Sequence, residues 1–81
     1  MESAQDFLHY LVGQIINSPD DVMVEATSDQ DGILLTVHVP KEFMGTLIGR
    51  MGKTIEAVRT IMRTYSMHLG CRVSLKIAEP E

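Results

Sequence analysis

The sequence predicts a two-layer α+β sandwich, a three-stranded mixed sheet with three helices on one face. Three observations lead there. Three short segments alternate apolar and polar residues with period two, as strands do when they bury one face. Three others repeat their apolar residues every three to four positions, as amphipathic helices do. The order runs helix, strand, strand, helix, helix, strand, and elements that are apolar on one side are stable only when those sides pack together. With 81 residues, 44% of them hydrophobic, the chain suits one thin core and no deep substrate cavity. Residues 1–81 therefore read as one domain, with a β-α-α-β core over 32–78 behind a helix–strand extension over 3–28.

Each element has its local reason. Ser3 with Asp6 three residues later is a helix-start signal, and Phe7, Leu8, Leu11, Val12, Ile15 and Ile16 follow in pairs four apart. Asn17-Ser18-Pro19 ends that helix, because the residue before a proline is pushed out of the α region. Val22, Val24 and Ala26 then form the apolar side of a strand whose other side carries Met23, Glu25 and Thr27. Asp29-Gln30-Asp31-Gly32 is turn chemistry. Beyond it Ile33, Leu35, Val37 and Val39 alternate with Leu34, Thr36 and His38, so the two strands read as a hairpin.

Pro40 opens a short helix, its fixed φ suited to the first turn, with Phe43, Met44, Leu47 and Ile48 apolar and Gly49 at its end. A longer helix runs from Lys53 to about Leu69, burying Ile55, Val58, Ile61, Met62 and Tyr65, and Gly70 suits its C-terminal cap. The last strand alternates Val73, Leu75 and Ile77 with Arg72, Ser74 and Lys76. If it neighbours the second strand, the helical crossover makes the two parallel.

Composition excludes several functions. No apolar run approaches the length of a membrane span, and Met1-Glu2-Ser3 lacks the basic start of a secretory signal. The single Cys71 can make neither an internal disulfide nor a zinc site, which suits a reducing cytoplasm. His9, His38 and His68 lie on different elements with no metal-ligand spacing, so no metal is expected. No Ser, His and Asp stand at a catalytic spacing, so no catalytic residue and no cofactor is assigned.

The net charge of −4 hides an uneven distribution. Residues 1–40 hold seven acids and neither Lys nor Arg; residues 41–81 hold all seven basic residues against four acids. Between Gly49 and Arg72 stand Arg50, Lys53, Arg59, Arg63 and Arg72 against Glu56 alone. Such asymmetry fits a surface facing a polyanion, or a solvated helix face.

The junction Leu47-Ile48-Gly49-Arg50-Met51-Gly52-Lys53-Thr54-Ile55 joins two helices through about four residues. Glycines three apart let the backbone turn sharply and let another chain approach it. Gly52 lies just before a helix start, where free N–H groups and the helix dipole favour phosphate. Arg50 and Lys53 add positive charge, and Ile48 and Ile55 would pin the two helices to the core. Gly52-Lys53-Thr54 is not a nucleotide-binding P-loop, because Leu47 stands where that motif needs glycine and a helix precedes it.

The stretch Ile48 to Ile55 is similar to the I-G-x-x-G-x-x-I signature of KH domains, whose loop clamps about four nucleotides. The order of elements resembles the type II arrangement. Further stretches, Leu11-Val12 through Ile15-Ile16 to Pro19-Asp20-Asp21-Val22, Val39 through Gly49, and Ala57-Val58-Arg59-Thr60, resemble the small bacterial single-KH proteins of the KhpA (YlqC-like) family. The likeness covers nearly the whole chain.

This resemblance implies that Gly49, Arg50, Met51 and Gly52 hold an RNA backbone, Arg50 facing phosphate. Lys53 and Thr54 would begin the helix lining the groove, and Ile48 and Ile55 would floor it. Met51 departs from the polar residue more usual there, so a van der Waals contact is expected of it. Lys41, Arg59 and Arg63 are candidate auxiliary RNA contacts, although Glu56 is an equally plain ion-pair partner for Arg59. Arg72 and Lys76 read as strand solubility. The implied function is non-enzymatic binding of short single-stranded RNA in the cytoplasm, of RNA-chaperone type. Implied partners are a second copy of the chain and a larger KH-containing protein linked to cell elongation. Met23 and Leu34, on the outer face of the hairpin, are a candidate self-association patch. The alternative is a protein-interaction adaptor that uses the fold with little RNA binding.

Overall fold

The structure, a computed structural model, describes residues 3–78. Helix α1 (Ala4–Ile16) starts as its cap predicts, the Asp6 N–H donating to Ser3 Oγ at 3.1 Å. It ends through Asn17, which adopts the left-handed conformation (φ 57°) and lets Asn17 and Ser18 N–H return to the carbonyls of Gln14 and Gly13. Pro19 follows in a single 3₁₀ turn, Pro19–Asp21, where the Ser18 hydroxyl donates to Asp21. The stop is thus a left-handed cap, with the proline just beyond it.

Strands β1 (Met23–Asp29) and β2 (Gly32–His38) form the expected hairpin, antiparallel from Met23 opposite His38 to Asp29 opposite Gly32. Helix α2 (Lys41–Ile48), a 3₁₀ turn (Arg50–Gly52) and helix α3 (Lys53–Leu69) follow, and β3 (Val73–Ile77) closes the chain. The sheet order is β1-β2-β3, and β3 runs parallel to β2 from Ile33 beside Val73 to Val37 beside Ile77. The result is a three-stranded mixed sheet with three helices, the predicted α+β sandwich.

Leu8 and Val12 of α1, Leu35 and Val37 of β2, Leu47 of α2, and Val58 and Met62 of α3 are the most deeply buried side chains of the core. Full burial of side chains of this size stabilises the fold by roughly 1.5–3 kcal/mol each. Every helix therefore has an anchor in one core, and the two helices that flank the glycine loop are held on both sides of it. Side chains of α1 also reach β1: Gln5 Nε2 donates to the Val24 carbonyl at 2.6 Å and His9 Nε2 to the Val22 carbonyl at 3.1 Å.

Several expectations are corrected. Ala26 is exposed although it shares a face with buried Val24; β1 is an edge strand, and the bonds from α1 fall on its first residues. Pro40 is the residue before α2, in extended backbone (φ −58°, ψ 149°), instead of a member of its first turn. Ile61 is 42% exposed, because the buried stripe of α3 runs Ile55, Val58, Met62 and Ser66, and residue 61 lies about 100° away from 62. Ser66 fills a buried position no apolar pattern marks, its hydroxyl donating to the Arg63 carbonyl at 2.7 Å. Tyr65 is half-buried, its ring 4.6 Å from that of Phe7.

Candidate nucleic-acid interface

The loop between α2 and α3 depends on two glycines in different ways. Gly49 has φ 77° and ψ 177°, and a Cβ there would overlap the Thr54 hydroxyl and stand 2.7 Å from Thr54 Cβ and 2.9 Å from its backbone nitrogen. Gly52 (φ 75°, ψ 13°) is left-handed but open, and a Cβ there would meet nothing within 4 Å. Gly49 thus lets the start of α3 close onto the end of α2, and Gly52 redirects the chain into α3.

Between them the loop is presented outward. Met51 is left-handed (φ 57°, ψ 26°) and 95% exposed, and Arg50 and Lys53 are exposed on either side of it. The 3₁₀ turn uses the N–H of Gly52, donated to the Gly49 carbonyl at 3.2 Å, and that of Lys53, donated to the Arg50 carbonyl. Two exposed cations, Arg50 and Lys53, at the head of a 17-residue helix make a site suited to an anion.

Ile55 is buried, as expected of a residue that pins α3 to the core, but Ile48 is 37% exposed. The last turn of α2 rises out of the core where the chain leaves for the loop, so Ile48 presents apolar surface beside Gly49 instead of anchoring the helix. Thr54 is half-buried against Gly49. The site residues from Ile48 to Ile55 are therefore brought together, all but Ile55 at least partly accessible. Lys41, at the start of α2, is exposed and lies at the far end of that helix from the loop.

A cleft of about 430 Å³ lies between α3 and β3. Arg59, Arg63 and Arg72 line it, over an apolar floor of Met62, Val73 and Leu75, with the Ser66 and Ser74 hydroxyls between. The α3 residues of the cleft, 59, 62, 63 and 66, share one face, and helical steps back from 59 lead through Glu56 to Gly52 just before the helix, so the cleft opens on the side of α3 next to the loop. Arg59 lies about 9 Å along the axis from Lys53. Arg59 is paired with Glu56 at 2.9 Å, the ion-pair reading given from sequence. Arg63 and Arg72 have no hydrogen-bond or ion-pair partner for their guanidinium groups among the described residues. Sequence reasoning missed Arg72 as a neighbour of Arg63. Its alternation points it to solvent, and only the return of the chain from α3 into β3 carries it to the cleft.

On the other surfaces, Met23 (53% exposed) and Leu34 (37%) lie on the open face of the sheet as expected, near His38, whose Nε2 is 3.3 Å from Glu25 Oε1. A second hollow, largely apolar, is formed by Phe7, Ile61 and Tyr65 with Thr60, Thr64 and His68. No helix of the described residues is long and apolar enough to cross a membrane.

A helix pair joined by a short G-x-x-G turn, packed on a sheet in the order α-β-β-α-α-β, defines a KH domain of the type II arrangement. Comparison with protein families narrows this: the family described as the KhpA/KhpB KH domain matches residues 5–77, and the chain belongs to it. It is 31% identical over 75 residues to the RNA-binding protein KhpA of Chlamydia pneumoniae, covering 93% of this chain and 96% of that one. It is 39% identical over 57 residues to the RNA-binding protein KhpA of Mycobacterium tuberculosis, covering 70% and 71% of the two chains. Among solved structures it is similar to Aquifex aeolicus Era (TM-score 0.63, 15% identity), covering 91% of this chain and 29% of that one. The same overlay holds for Era in complex with MgGDPNP and a segment of 16S ribosomal RNA, of which the chain spans 28%. At that identity the likeness to Era is one of fold.

Proposed function

We propose that this protein binds short single-stranded RNA without catalysing a reaction, with the sugar–phosphate backbone against Gly49–Gly52 and the bases in the cleft between α3 and β3. The observation that carries the reading is the loop itself. Arg50 and Lys53 flank the glycine turn at the head of α3, where the helix dipole favours phosphate, on the side where the cleft opens. Membership of a family whose relatives are named RNA-binding proteins favours it over the adaptor alternative. Ile48, Met51 and Thr54 supply van der Waals surface to ribose and base, Ile55 holds the wall, and Arg59, Arg63 and Lys41 act as auxiliary RNA contacts.

One small module makes few phosphate contacts, so binding is weak and its salt dependence shallow, with about two or three counterions released from a single strand. Pairing with a second copy, or with a larger KH-containing protein, raises the effective affinity through avidity. The exposed Met23/Leu34 patch and the Phe7/Ile61 hollow offer apolar surface for such pairing. A cytoplasmic role of RNA-chaperone type, in a pathway tied to cell elongation, fits these properties.

The test is an RNA titration of the Arg50→Asp/Met51→Asp variant against the parent, with circular dichroism on both. Neither side chain belongs to the core, so the variant folds. The expected outcome is a loss of affinity of about tenfold or more at low salt, since two acids replace a cation at the phosphate site. Equal affinity in the two folded proteins would remove the loop as the site. Light scattering that finds stable self-association with no RNA binding at low salt would favour the adaptor.

A further inference from the structure

The cleft beside the loop carries more than an apolar base groove requires. Met62, Val73 and Leu75 give it an apolar floor suited to the flat face of a base, but three arginines line it as well. Arg59 is held by Glu56. Arg63 from α3 and Arg72 from the start of β3 face the same space without a hydrogen-bond or ion-pair partner among the described residues. A guanidinium has five N–H donors in a planar fork and no acceptor. No carboxylate or amide side chain lines the cleft, so its side-chain acceptors are the hydroxyls of Ser66 and Ser74.

The backbone adds a second feature. The Ile33 N–H donates to the Arg72 carbonyl at 2.8 Å and the Ala78 N–H to the Val37 carbonyl at 2.9 Å. Even-numbered residues of β3 therefore turn their backbone groups toward β2. In a parallel ladder the odd ones, Val73 and Leu75, turn theirs to the open edge that borders the cleft. That edge accepts and donates equally and favours no base strongly. The side-chain walls decide, and they are rich in donors.

We propose that this cleft reads guanine, with Arg63 or Arg72 presenting its fork to O6 and N7. Those two adjacent acceptors match the spacing of the fork, whereas adenine offers its N6 amine at the position of O6 and cytosine offers its N4 amine, each a donor facing a donor. The inference rests on the reading of the loop as an RNA site. Arg63 and Arg72 are its specificity-determining residues, and the loop sets the affinity common to all sequences.

The experiment titrates the full chain with oligouridine heptamers carrying one central guanine, adenine, inosine or 7-deazaguanine. The proteins compared are the parent and the Arg63→Lys/Arg72→Lys variant. Lysine keeps the charge and loses the fork, so a role limited to phosphate attraction leaves the variant unchanged. The parent is expected to prefer guanine to adenine by about fivefold or more, the lower end of what a bidentate arginine–guanine contact discriminates. Inosine, which keeps O6 and N7, should bind like guanine, and 7-deazaguanine should fall toward adenine. The lysine variant should bind all four alike. Equal binding of guanine and adenine by the parent overturns the base reading while leaving RNA binding intact. So does a preference that survives in the lysine variant. No binding of any heptamer, even at low salt, overturns the RNA-binding reading and this one with it.

Discussion

Replacing either glycine of the loop by alanine probes how tightly α2 and α3 close on each other. At Gly49 the backbone lies at φ 77°, ψ 177°, a region reached essentially by glycine alone, and holding another residue there costs roughly 1–3 kcal/mol. The new methyl would also overlap the Thr54 side chain and stand 2.9 Å from its backbone nitrogen. A backbone atom at the head of α3 cannot rotate aside, so the helix start must shift, and strain of that kind adds about 1 kcal/mol or more. Gly52 is left-handed with open space around it, so alanine costs only the conformational term, roughly 1–2 kcal/mol. For a domain of this size each kcal/mol moves Tm by roughly 4–8 °C. Gly49→Ala should therefore lower Tm by about 8–32 °C and Gly52→Ala by about 4–16 °C, with the loss at Gly49 the larger, read by far-ultraviolet circular dichroism on heating. Equal losses, or a larger loss at Gly52, would refute the packing of Thr54 against Gly49.

Four further outcomes are expected. Met51→Gly should leave Tm unchanged or raise it, because the exposed side chain contributes little packing and glycine relieves the left-handed strain; Met67→Gly, at an exposed position in the last turn of α3, should lower Tm, by up to about 5 °C, through lost helix propensity. Leu47→Ala removes a fully buried side chain and should destabilise the fold by about 2–5 kcal/mol in a denaturant titration. Glu56→Gln breaks the exposed pair with Arg59 and deletes a negative charge near the cleft, so RNA affinity should rise by about two- to threefold with little change in stability.

How far the sequence can be read shows in particular residues. The start of α1 was legible because capping is local: Ser3 and Asp6 are three residues apart and need no other part of the chain. The bounds of α3 were legible for the same reason, Gly52 and Gly70 standing at its two ends in left-handed backbone. Exposure was less legible. Ile48, Ala26 and Ile61 are apolar residues on apolar-looking faces, yet Ile48 sits where α2 leaves for the loop, Ala26 on an edge strand, and Ile61 beside the buried stripe of α3. The position of Asn17 as the helix stop was hidden behind Pro19, since either residue suffices locally to end the helix. The cleft was invisible: Arg63 and Arg72 lie on different elements, and alternation along β3 assigns Arg72 to solvent.

The sequence by itself determined the fold class, the order of elements and the G-x-x-G loop with its two cations. These depend on periodicity and turn chemistry among near neighbours. Tertiary structure alone decided that Gly49 must be glycine because Thr54 leans on it, and that the free edge of β3 borders a cleft beside α3. It also decided that three arginines surround one cleft. Those features arise where the chain returns on itself, and no local propensity encodes which side chain a returning strand will meet.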